Sequence, residues 1–259
     1  MSSATLQAAA RLLRHARHAL VLTGAGASAE SGIPTFRDAL TGLWARFDPE
    51  ELATPEAYRR NPPLVWAWYQ WRRNRVLEAS PNAGHRAIAR LAGRVPALTV
   101  VTQNVDDLHE RAGSRDVIHL HGSILTARCF DCGAPCVLPD GPLPIPADGV
   151  PVPPPHCTRC HGVARPDVVW FGEPLPAAAL AAAERAVASA DLVLSIGTSG
   201  LVYPAAGLAP AAARRGAAVV EINPDETPLT AIATHFLQGP AGQVLPPLLA
   251  AAWPEQISD

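Results

Sequence analysis

Short apolar runs alternate along the chain with longer segments in which apolar residues recur every three or four positions. The apolar runs are rich in Val, Ile and Leu and predict strands at 18–23, 97–102, 116–120, 191–196 and 217–222. Alanine-rich helical patterns separate several of these runs, at 176–189 and 204–215. Strands that alternate with helices are typical of a parallel sheet covered on both faces. The pattern therefore predicts an α/β fold.

Two insertions interrupt the alternation. Residues 38–92 contain no strand-like run and are predicted to be helical, with one helix starting at Asn61-Pro62-Pro63. Residues 124–169 hold all five cysteines, and nine prolines lie between Pro135 and Pro155. A segment of this composition forms a poor core, and a bound metal can supply the folding energy that it lacks.

The cysteines have the spacing of a metal site. Cys129 and Cys132 form one C-x-x-C pair, Cys157 and Cys160 form a second, and 24 residues separate the pairs. Four thiolates in two such pairs match tetrahedral zinc, and the closed ligand set makes the predicted ion structural. Two disulfides are the alternative, which the lack of a secretory signal disfavours. Cys136 is left without a role.

The N-terminal composition allows two interpretations. The first twenty residues are rich in Arg and Ala and lack acidic residues, as in transit peptides. The segment also carries an apolar stripe at helical spacing that leads into the first strand, formed by Leu6, Ala9, Leu12, Leu13 and Ala16. The stripe favours a structural helix in a protein of the bacterial cytoplasm. A formal net charge of −2 gives no basic footprint for nucleic acid, and no apolar run is long enough to span a membrane.

Residues 24–37 directly follow the first predicted strand. Gly24 and Gly26 let the backbone turn sharply and approach a pyrophosphate, and the helix that follows would direct its positive end at the phosphates. A tight structural turn explains the two glycines about as well. Residues 31–37 are too polar for one regular helix and predict a loop over the ligand, where Phe36 can cover a ring and Arg37 can hold a phosphate or ribose.

Polar residues also follow the later strands. Asn104 and Asp106 offer an amide and a carboxylate suited to a carboxamide and a ribose, although a helix N-cap at either position would be the favoured explanation if this motif stood alone. His119 and His121 share one face of the next strand, and His121, nearer its carboxyl end, has the pKa range of a general base. Further strand-end or turn segments are Gly197-Thr198-Ser199, Asn223-Pro224-Asp225 and 239–242.

Together these segments resemble the sirtuins, NAD-dependent protein lysine deacylases, in their bacterial form. The matching segments are GAGASAESGIPTFR at 24–37, TQNVDDLH at 102–109, HG at 121–122, the two C-x-x-C pairs, RPDVVWFGE at 165–173, GTS at 197–199 and NPD at 223–225. The resemblance spans roughly residues 10 to 250. It implies a single catalytic domain over 1–259, with substrate and cofactor meeting between two lobes. The Rossmann-like large lobe would comprise about 1–37, 93–123 and 171–259, and the small lobe about 38–92 (helical) and 124–170 (zinc module).

The resemblance also implies the reaction. The acyl oxygen of a modified lysine would attack the anomeric carbon of the nicotinamide ribose, and His121 would act as base on a ribose hydroxyl. The products are free lysine, nicotinamide and O-acyl-ADP-ribose. Asn104 and Asp106 would orient the ribose and nicotinamide, and Phe36 would shield the reactive ribose face. The residues implied for NAD are Gly24, Ala25, Gly26, Ser28, Ala29, Glu30, Pro34, Thr35, Phe36, Arg37, Trp44, Gln103, Asn104, Val105, Asp106, Gly197, Thr198, Ser199, Asn223, Pro224, Asp225 and Ala241.

The acylated peptide would pair as a strand with residues 168–173, through Val168, Trp170, Phe171, Gly172 and Glu173. Tyr69 and Arg72 lie at i and i+3 of a predicted helix, and a phenol beside a guanidinium forms a carboxylate clamp. A solvated, Arg-rich helix is the alternative. The chain resembles the sirtuins that remove malonyl, succinyl and glutaryl groups, in which a small residue, here Ala53, opens the acyl pocket.

The predicted activity is therefore NAD-dependent removal of acidic acyl groups, with some deacetylation, by a monomer that acts on acylated lysine peptides. A predominant deacetylase and a mono-ADP-ribosyltransferase are the alternatives that use the same NAD site. A binding module without catalysis is disfavoured by the presence of both Asn104 and His121. A zinc-ribbon nucleic-acid binder is disfavoured by the lack of a dense basic face.

Overall fold

The computed structural model describes residues 2–34, 52–144 and 151–254. The α-helices in these ranges are α1 (Ser3–His15), α2 (Gly26–Ala29), α3 (Pro55–Arg60), α4 (Pro62–Glu78), α5 (Ala83–Leu91), α6 (Leu108–Arg111), α7 (Ala177–Ser189), α8 (Leu208–Arg214) and α9 (Ala241–Ala252). The strands are β1 (His18–Thr23), β2 (Ala97–Thr102), β3 (Ile118–His119), β4 (Gly122–Cys129), β5 (Pro135–Cys136), β6 (Ala164–Val168), β7 (Leu192–Ile196), β8 (Ala218–Asn223) and β9 (His235–Gln238). Short 3₁₀ turns lie at Ala205–Gly207 and Thr230–Ile232.

Six strands form one parallel sheet in the order β3-β2-β1-β7-β8-β9, which confirms the predicted α/β fold. The central strand β1 pairs with β2 on one side and β7 on the other, and the strand order reverses here. In open sheets of this kind ligands bind at the carboxyl ends of the strands near that reversal. The apolar runs predicted four of the six strands closely, but the edge strand β9 was missed and β3 is only two residues long.

A second, antiparallel sheet has the order β5-β4-β6; Cys129 and Cys136 lie on its strands, and Cys132, Cys157 and Cys160 lie in the segments between them. The chain leaves the parallel sheet after His119 and enters the small sheet at Gly122. Gly122 has φ +75°, and a Cβ there would lie 2.2 Å from the carbonyl oxygen of Asp167. Only glycine fits this junction, which holds His121 between the two sheets.

Three apolar clusters hold these layers. One lies under α1, α5 and α9 on one face of the parallel sheet, and another lies under α7 and α8 on the opposite face. The third joins α3 and α4 to the small sheet. Helix α5 packs against α9 in the first cluster, through Ala87, Ile88 and Leu91, so it belongs with the parallel sheet although it falls within the predicted insertion 38–92. Within the described ranges, none of the helices has the length and apolar character needed to cross a bilayer.

Candidate active site

The turn after β1 packs directly against the turn after β7. Gly24 and Gly26 donate their backbone N–H groups to the carbonyl oxygens of Ile196 at 3.0 Å and Gly197 at 2.9 Å. A Cβ on either glycine would lie 2.8 Å from Gly197 backbone atoms, and Gly197 itself has φ +59°. The close approach that requires glycine is therefore made between these two loops. The two loops lie at the carboxyl ends of β1 and β7, and the helix that follows the first loop, α2, is a single turn.

Ser28 connects the two polar residues that follow β2. Its hydroxyl donates to Asp106 Oδ2 at 2.9 Å and accepts from Asn104 Nδ2 at 3.0 Å. All three side chains are buried. Burial raises the pKa of Asp106, while hydrogen bonds from the Leu108 N–H and from Ser28 lower it, and burial prevails. Neither residue is the N-cap of α6, which is Asp107; Asp106 Oδ1 accepts the Leu108 N–H at 3.1 Å, and Asn104 faces Ser28.

Side-chain contacts continue along the edge of the sheet from β2 to β8. Gln103 Nε2 donates to Thr198 Oγ1 at 3.1 Å, and Asn223 Nδ2 donates to the carbonyl oxygen of Thr198 at 3.2 Å. The ends of β2, β7 and β8 thus present polar groups side by side. A cavity of about 160 Å³ adjoins Gln103 and Thr198 and extends beneath residues 200–210.

His119 and His121 both contact the backbone of the segment after β2. His121 Nδ1 lies 2.8 Å from the carbonyl oxygen of Gln103, and burial lowers the pKa of His121. His119 Nδ1 lies 3.2 Å from the carbonyl oxygen of Asn104, and its Nε2 lies 2.7 Å from Glu110 Oε1. Burial opposes protonation of His119, but the hydrogen bond and charge of Glu110 outweigh it and raise the pKa. The protein environment therefore favours the neutral form of the His121 imidazole and the protonated form of the His119 imidazole.

The other residues predicted to hold NAD occupy different positions in the crevice. Glu30 Oε2 accepts the Gly242 N–H at 2.6 Å, which ties the glycine loop to the start of α9 beside the buried Ala241. Val105 is partly buried and packs against the apolar cluster that joins α3 and α4 to the small sheet. The partly or fully exposed residues of this set are Ala25, Ala29, Pro34, Ser199, Pro224 and Asp225. Thr35, Phe36, Arg37 and Trp44 lie outside the described residues.

The segment predicted to pair with a peptide is not one continuous strand. Strand β6 ends at Val168, and the Glu173 N–H closes a turn on the carbonyl of Trp170, with Gly172 at φ +84°. The Val169 and Phe171 N–H groups bond the carbonyls of His121 and Ala53, both at 2.9 Å. The expectation of a strand over 168–173 is corrected to a strand followed by a turn, because its amides have partners within the chain. Phe171 is 44% exposed at the tip of the turn.

The residues predicted to read the acyl group come together beside this turn. Ala53, Tyr69 and Trp170 are buried in one cluster, and Trp170 Nε1 donates to Tyr69 Oη at 3.0 Å. Arg72 lies over the rings of Trp68 and Tyr69, with its guanidinium carbon 4.9 and 5.6 Å from their centroids. Burial lowers the pKa of Arg72, and the charges of Tyr69 and Asp106 oppose that shift. Arg72 is therefore directed at the cluster and is not a freely solvated arginine.

The four predicted metal ligands converge, with all their sulfur atoms within 4.8 Å of one another. Cys129 and Cys160 Sγ lie 3.4 Å apart, and Cys132 and Cys157 Sγ lie 3.8 Å apart. Four sulfurs around zinc at about 2.3 Å are separated by about 3.8 Å, so the cluster fits one tetrahedral ion. The alternative of two disulfides is wrong, since all the cysteines are free thiols. Cys136 lies outside this four-sulfur group, on β5.

Two further groups at the site were not recognised in the sequence. His85 and His109 are buried with ring centroids 4.9 Å apart, and His109 Nε2 lies 2.9 Å from Thr23 Oγ1. Burial lowers the pKa of His85 to about 3 and that of His109 to about 4. Leu201, Val202 and Tyr203 form an exposed apolar stretch directly after the β7 loop. For the exposed stretch, the only sequence signal was three apolar residues directly after GTSG at 197–200. No sequence signal indicated that His85 and His109 would pack together.

Comparison with known proteins agrees with this geometry. The model of the Sir2 family matches residues 24–204. The chain is 58% identical over 239 residues to an NAD-dependent protein deacylase of Methylococcus capsulatus, covering 92% of this chain and 94% of that protein. It is 55% identical over 251 residues to NAD-dependent protein deacylase 1 of Pseudomonas aeruginosa, covering 96% and 100%. The crystal structure of a Sir2 homolog–NAD complex superposes with a TM-score of 0.85 at 48% identity, covering 97% of this chain and 94% of that one. The chain belongs to the Sir2 family.

Proposed function

We propose that this Sir2-family chain is an NAD-dependent protein lysine deacylase that prefers succinyl and malonyl groups to acetyl. NAD-dependent deacylation follows from the family and from relatives of that name at 51–58% identity. The acyl preference is the new part of the proposal. The observation that carries it is the placement of Arg72 beside Tyr69 in a cluster that also contains Ala53 and Trp170.

The edge of the parallel sheet supports NAD as co-substrate. The interlocked loops at Gly24–Gly26 and Gly197 form a backbone floor, and Gln103, Thr198 and Asn223 present polar groups along it. A dinucleotide bound at such an edge meets amides, hydroxyls and carboxamides suited to ribose and phosphate. Ser28 holds Asn104 and Asp106 at fixed positions at one end of this row, where we place the nicotinamide and its ribose.

His121 is the residue that we assign to proton transfer. A carbonyl oxygen only accepts hydrogen bonds, so the contact with Gln103 places the proton of the neutral ring on Nδ1. Nε2 then carries the free lone pair that a general base needs. Because burial lowers the pKa of His121, the ring is in this neutral form at neutral pH.

The acyl preference would arise from a charge-assisted contact. An arginine remains protonated even when burial lowers its pKa, so Arg72 would attract a negative charge on an acyl group bound beside it. A succinyl or malonyl carboxylate supplies that charge, and acetyl does not. Ala53 belongs to the same cluster as Tyr69 and Trp170, and its small side chain would leave more room for an acyl chain than a larger residue would.

The proposal also covers the partners, the location and the metal of the enzyme. The partners would be proteins that carry acylated lysines, bound near the turn at 170–173 with Phe171 at its tip. We place the enzyme in the cytoplasm as a monomer, without nucleic acid or membrane partners. The four-cysteine cluster would hold one structural zinc through Cys129, Cys132, Cys157 and Cys160.

The test compares one peptide in succinyl and acetyl form with NAD, in wild type, Arg72→Met and Arg75→Met. Arg75 is the matched control, since it lies on the same helix but is exposed and pairs with Glu78. Loss of a charge-assisted pair in a closed pocket costs about 2–4 kcal/mol. We therefore expect Arg72→Met to lower the succinyl-to-acetyl ratio of kcat/KM by about 30-fold or more, and Arg75→Met to leave it unchanged. An unchanged ratio in Arg72→Met would refute the clamp.

A further inference from the structure

We propose that Trp170 is a positioning residue for acyl selection, which acts by fixing the direction of the Tyr69 hydroxyl proton. The inference rests on the proposed acidic-acyl preference and assigns it a third residue. Trp170 acts through Tyr69 and makes no contact of its own with the acyl carboxylate.

The two side chains share one buried hydrogen bond. Trp170 Nε1 donates to Tyr69 Oη at 3.0 Å, and the two residues are 1% and 2% exposed. Desolvation raises the pKa of Tyr69 to about 12, so the phenol carries its proton at neutral pH. A hydroxyl that is closed off from solvent takes its orientation from the protein groups around it.

The direction of this bond determines what the phenol can do. An indole N–H only donates, so Tyr69 Oη must accept from Trp170, and the phenol proton must point away from the indole. A carboxylate only accepts, so it requires this donated proton. With Arg72 over the same phenol ring, the outward proton and the guanidinium present two donors to one anion. An acetyl group has no carboxylate oxygen to receive them.

Trp170 is itself held by the ion pair between Arg165, on β6, and Glu173, in the turn after that strand. The Arg165 guanidinium carbon lies 3.4 Å from the centroid of the Trp170 ring, a cation–π contact. Arg165 makes two hydrogen bonds to Glu173, and Glu173 Oε2 also accepts the Trp170 backbone N–H at 2.9 Å. The indole is thus fixed from its ring face and from its backbone before any substrate binds. This arrangement holds the Tyr69 hydroxyl in the orientation that a carboxylate needs. Binding then carries no free-energy cost for reorienting the hydroxyl.

The competing explanation is that Trp170 only fills the core. A packing defect would disturb the pocket for every acyl group, whereas loss of the hydrogen bond weakens recognition of a carboxylate selectively. The succinyl-to-acetyl ratio of kcat/KM separates the two explanations, since a general defect lowers both rates and cancels in the ratio.

The experiment measures that ratio in Trp170→Phe, Tyr69→Phe and the double variant. Trp66→Phe is the matched control, since Trp66 is 2% exposed on the helix of Tyr69 and in the same cluster. A neutral hydrogen bond of ordinary strength corresponds to a change of about tenfold at most. We expect Trp170→Phe to lower the ratio by about five- to tenfold and Trp66→Phe to leave it unchanged. In the Tyr69→Phe background, Trp170→Phe should produce no further fall.

Two results would overturn the role of Trp170 and leave the proposed function standing. One is a succinyl-to-acetyl ratio that Trp170→Phe leaves unchanged while Arg72→Met lowers it. The other is a further fall of the ratio, equally large, when Trp170→Phe is added to Tyr69→Phe. If Trp170→Phe fails to fold, 3-benzothienylalanine at position 170 takes its place, because it replaces only the indole N–H by sulfur. The same five- to tenfold fall of the ratio is expected. A wild-type enzyme that does not prefer succinyl would overturn the proposed function and this inference together. That failure is visible before any variant is made.

Discussion

His121 Nδ1 lies 2.8 Å from the carbonyl oxygen of Gln103, at the point where the chain passes from the parallel sheet into the small sheet. The Gln103 carbonyl therefore sets the tautomer of His121, the residue proposed as general base. Many catalytic histidines are oriented by a carboxylate, which also raises their pKa. A carbonyl orients the ring with less effect on its pKa, so burial keeps His121 neutral.

Replacement of His121 by alanine should abolish deacylation and leave NAD binding in place. The reason is that His121 is the general base in the proposed mechanism, whereas the polar groups proposed to bind NAD come from other strand ends. In the wild-type enzyme, the acidic limb of the kcat/KM profile should have its midpoint below pH 6.5, since a lowered pKa preserves the neutral ring to lower pH. Turnover assays with titration calorimetry for NAD check both points. Near wild-type turnover in the alanine variant would remove His121 from the mechanism.

Removal of zinc should unfold the small sheet before the large one. The cysteine cluster joins β4 to the loop before β6, and metal binding contributes directly to the folding free energy of such modules. Metal analysis should find one zinc per chain in wild type and in Cys136→Ser, and a clear loss in Cys132→Ser together with a lower Tm. Equal zinc loss in Cys136→Ser would show that the ligand set is wrong.

Acid should destabilise the fold through the buried pair His85 and His109. Their folded pKa values of about 3 and 4 lie below the ordinary value of 6.5, so the unfolded chain binds protons first as the pH falls. Stability is therefore full above pH 6.5 and is lost toward pH 4, by about 2 kcal/mol per histidine at pH 5. Urea unfolding between pH 7 and 5 measures this slope, with zinc content followed in parallel. His109→Asn should reduce the slope, and an unaltered slope would contradict the assignment.

The sequence pattern predicted most of the large sheet because its strands are continuous apolar runs. Strand β9 was missed because it is a four-residue edge strand, with polar His235 and Gln238 at its ends. Helix α5 has an apolar face. The periodicity of its apolar residues indicates that this face is buried, but it does not indicate which layer of the structure covers it. Its contact with α9 joins residues about 160 positions apart, a distance at which local patterns carry no information.

The sequence indicated which polar residues would lie at the strand ends, but not which partners their side chains would have. Asn104, Asp106 and His121 follow strands as expected, but the Ser28 hydroxyl that joins Asn104 to Asp106 lies more than 70 residues away in sequence. Glu30 was assigned to NAD, and the structure shows its carboxylate on the Gly242 N–H. Likewise, the hydrogen bond from Trp170 to Tyr69 joins residues that are 101 positions apart in the sequence. Such long-range hydrogen bonds follow from the tertiary fold.

The central claim is tested most directly by competition between acyl groups on the unmodified enzyme. Succinyl, malonyl and acetyl versions of one lysine peptide are mixed in equal amounts with NAD, and the O-acyl-ADP-ribose products are resolved by mass. We predict that the succinyl and malonyl products form at least tenfold faster than the acetyl product, with one nicotinamide released per lysine freed. A mixture dominated by the acetyl product would contradict the acidic-acyl assignment, and ADP-ribose attached to protein would contradict deacylation itself.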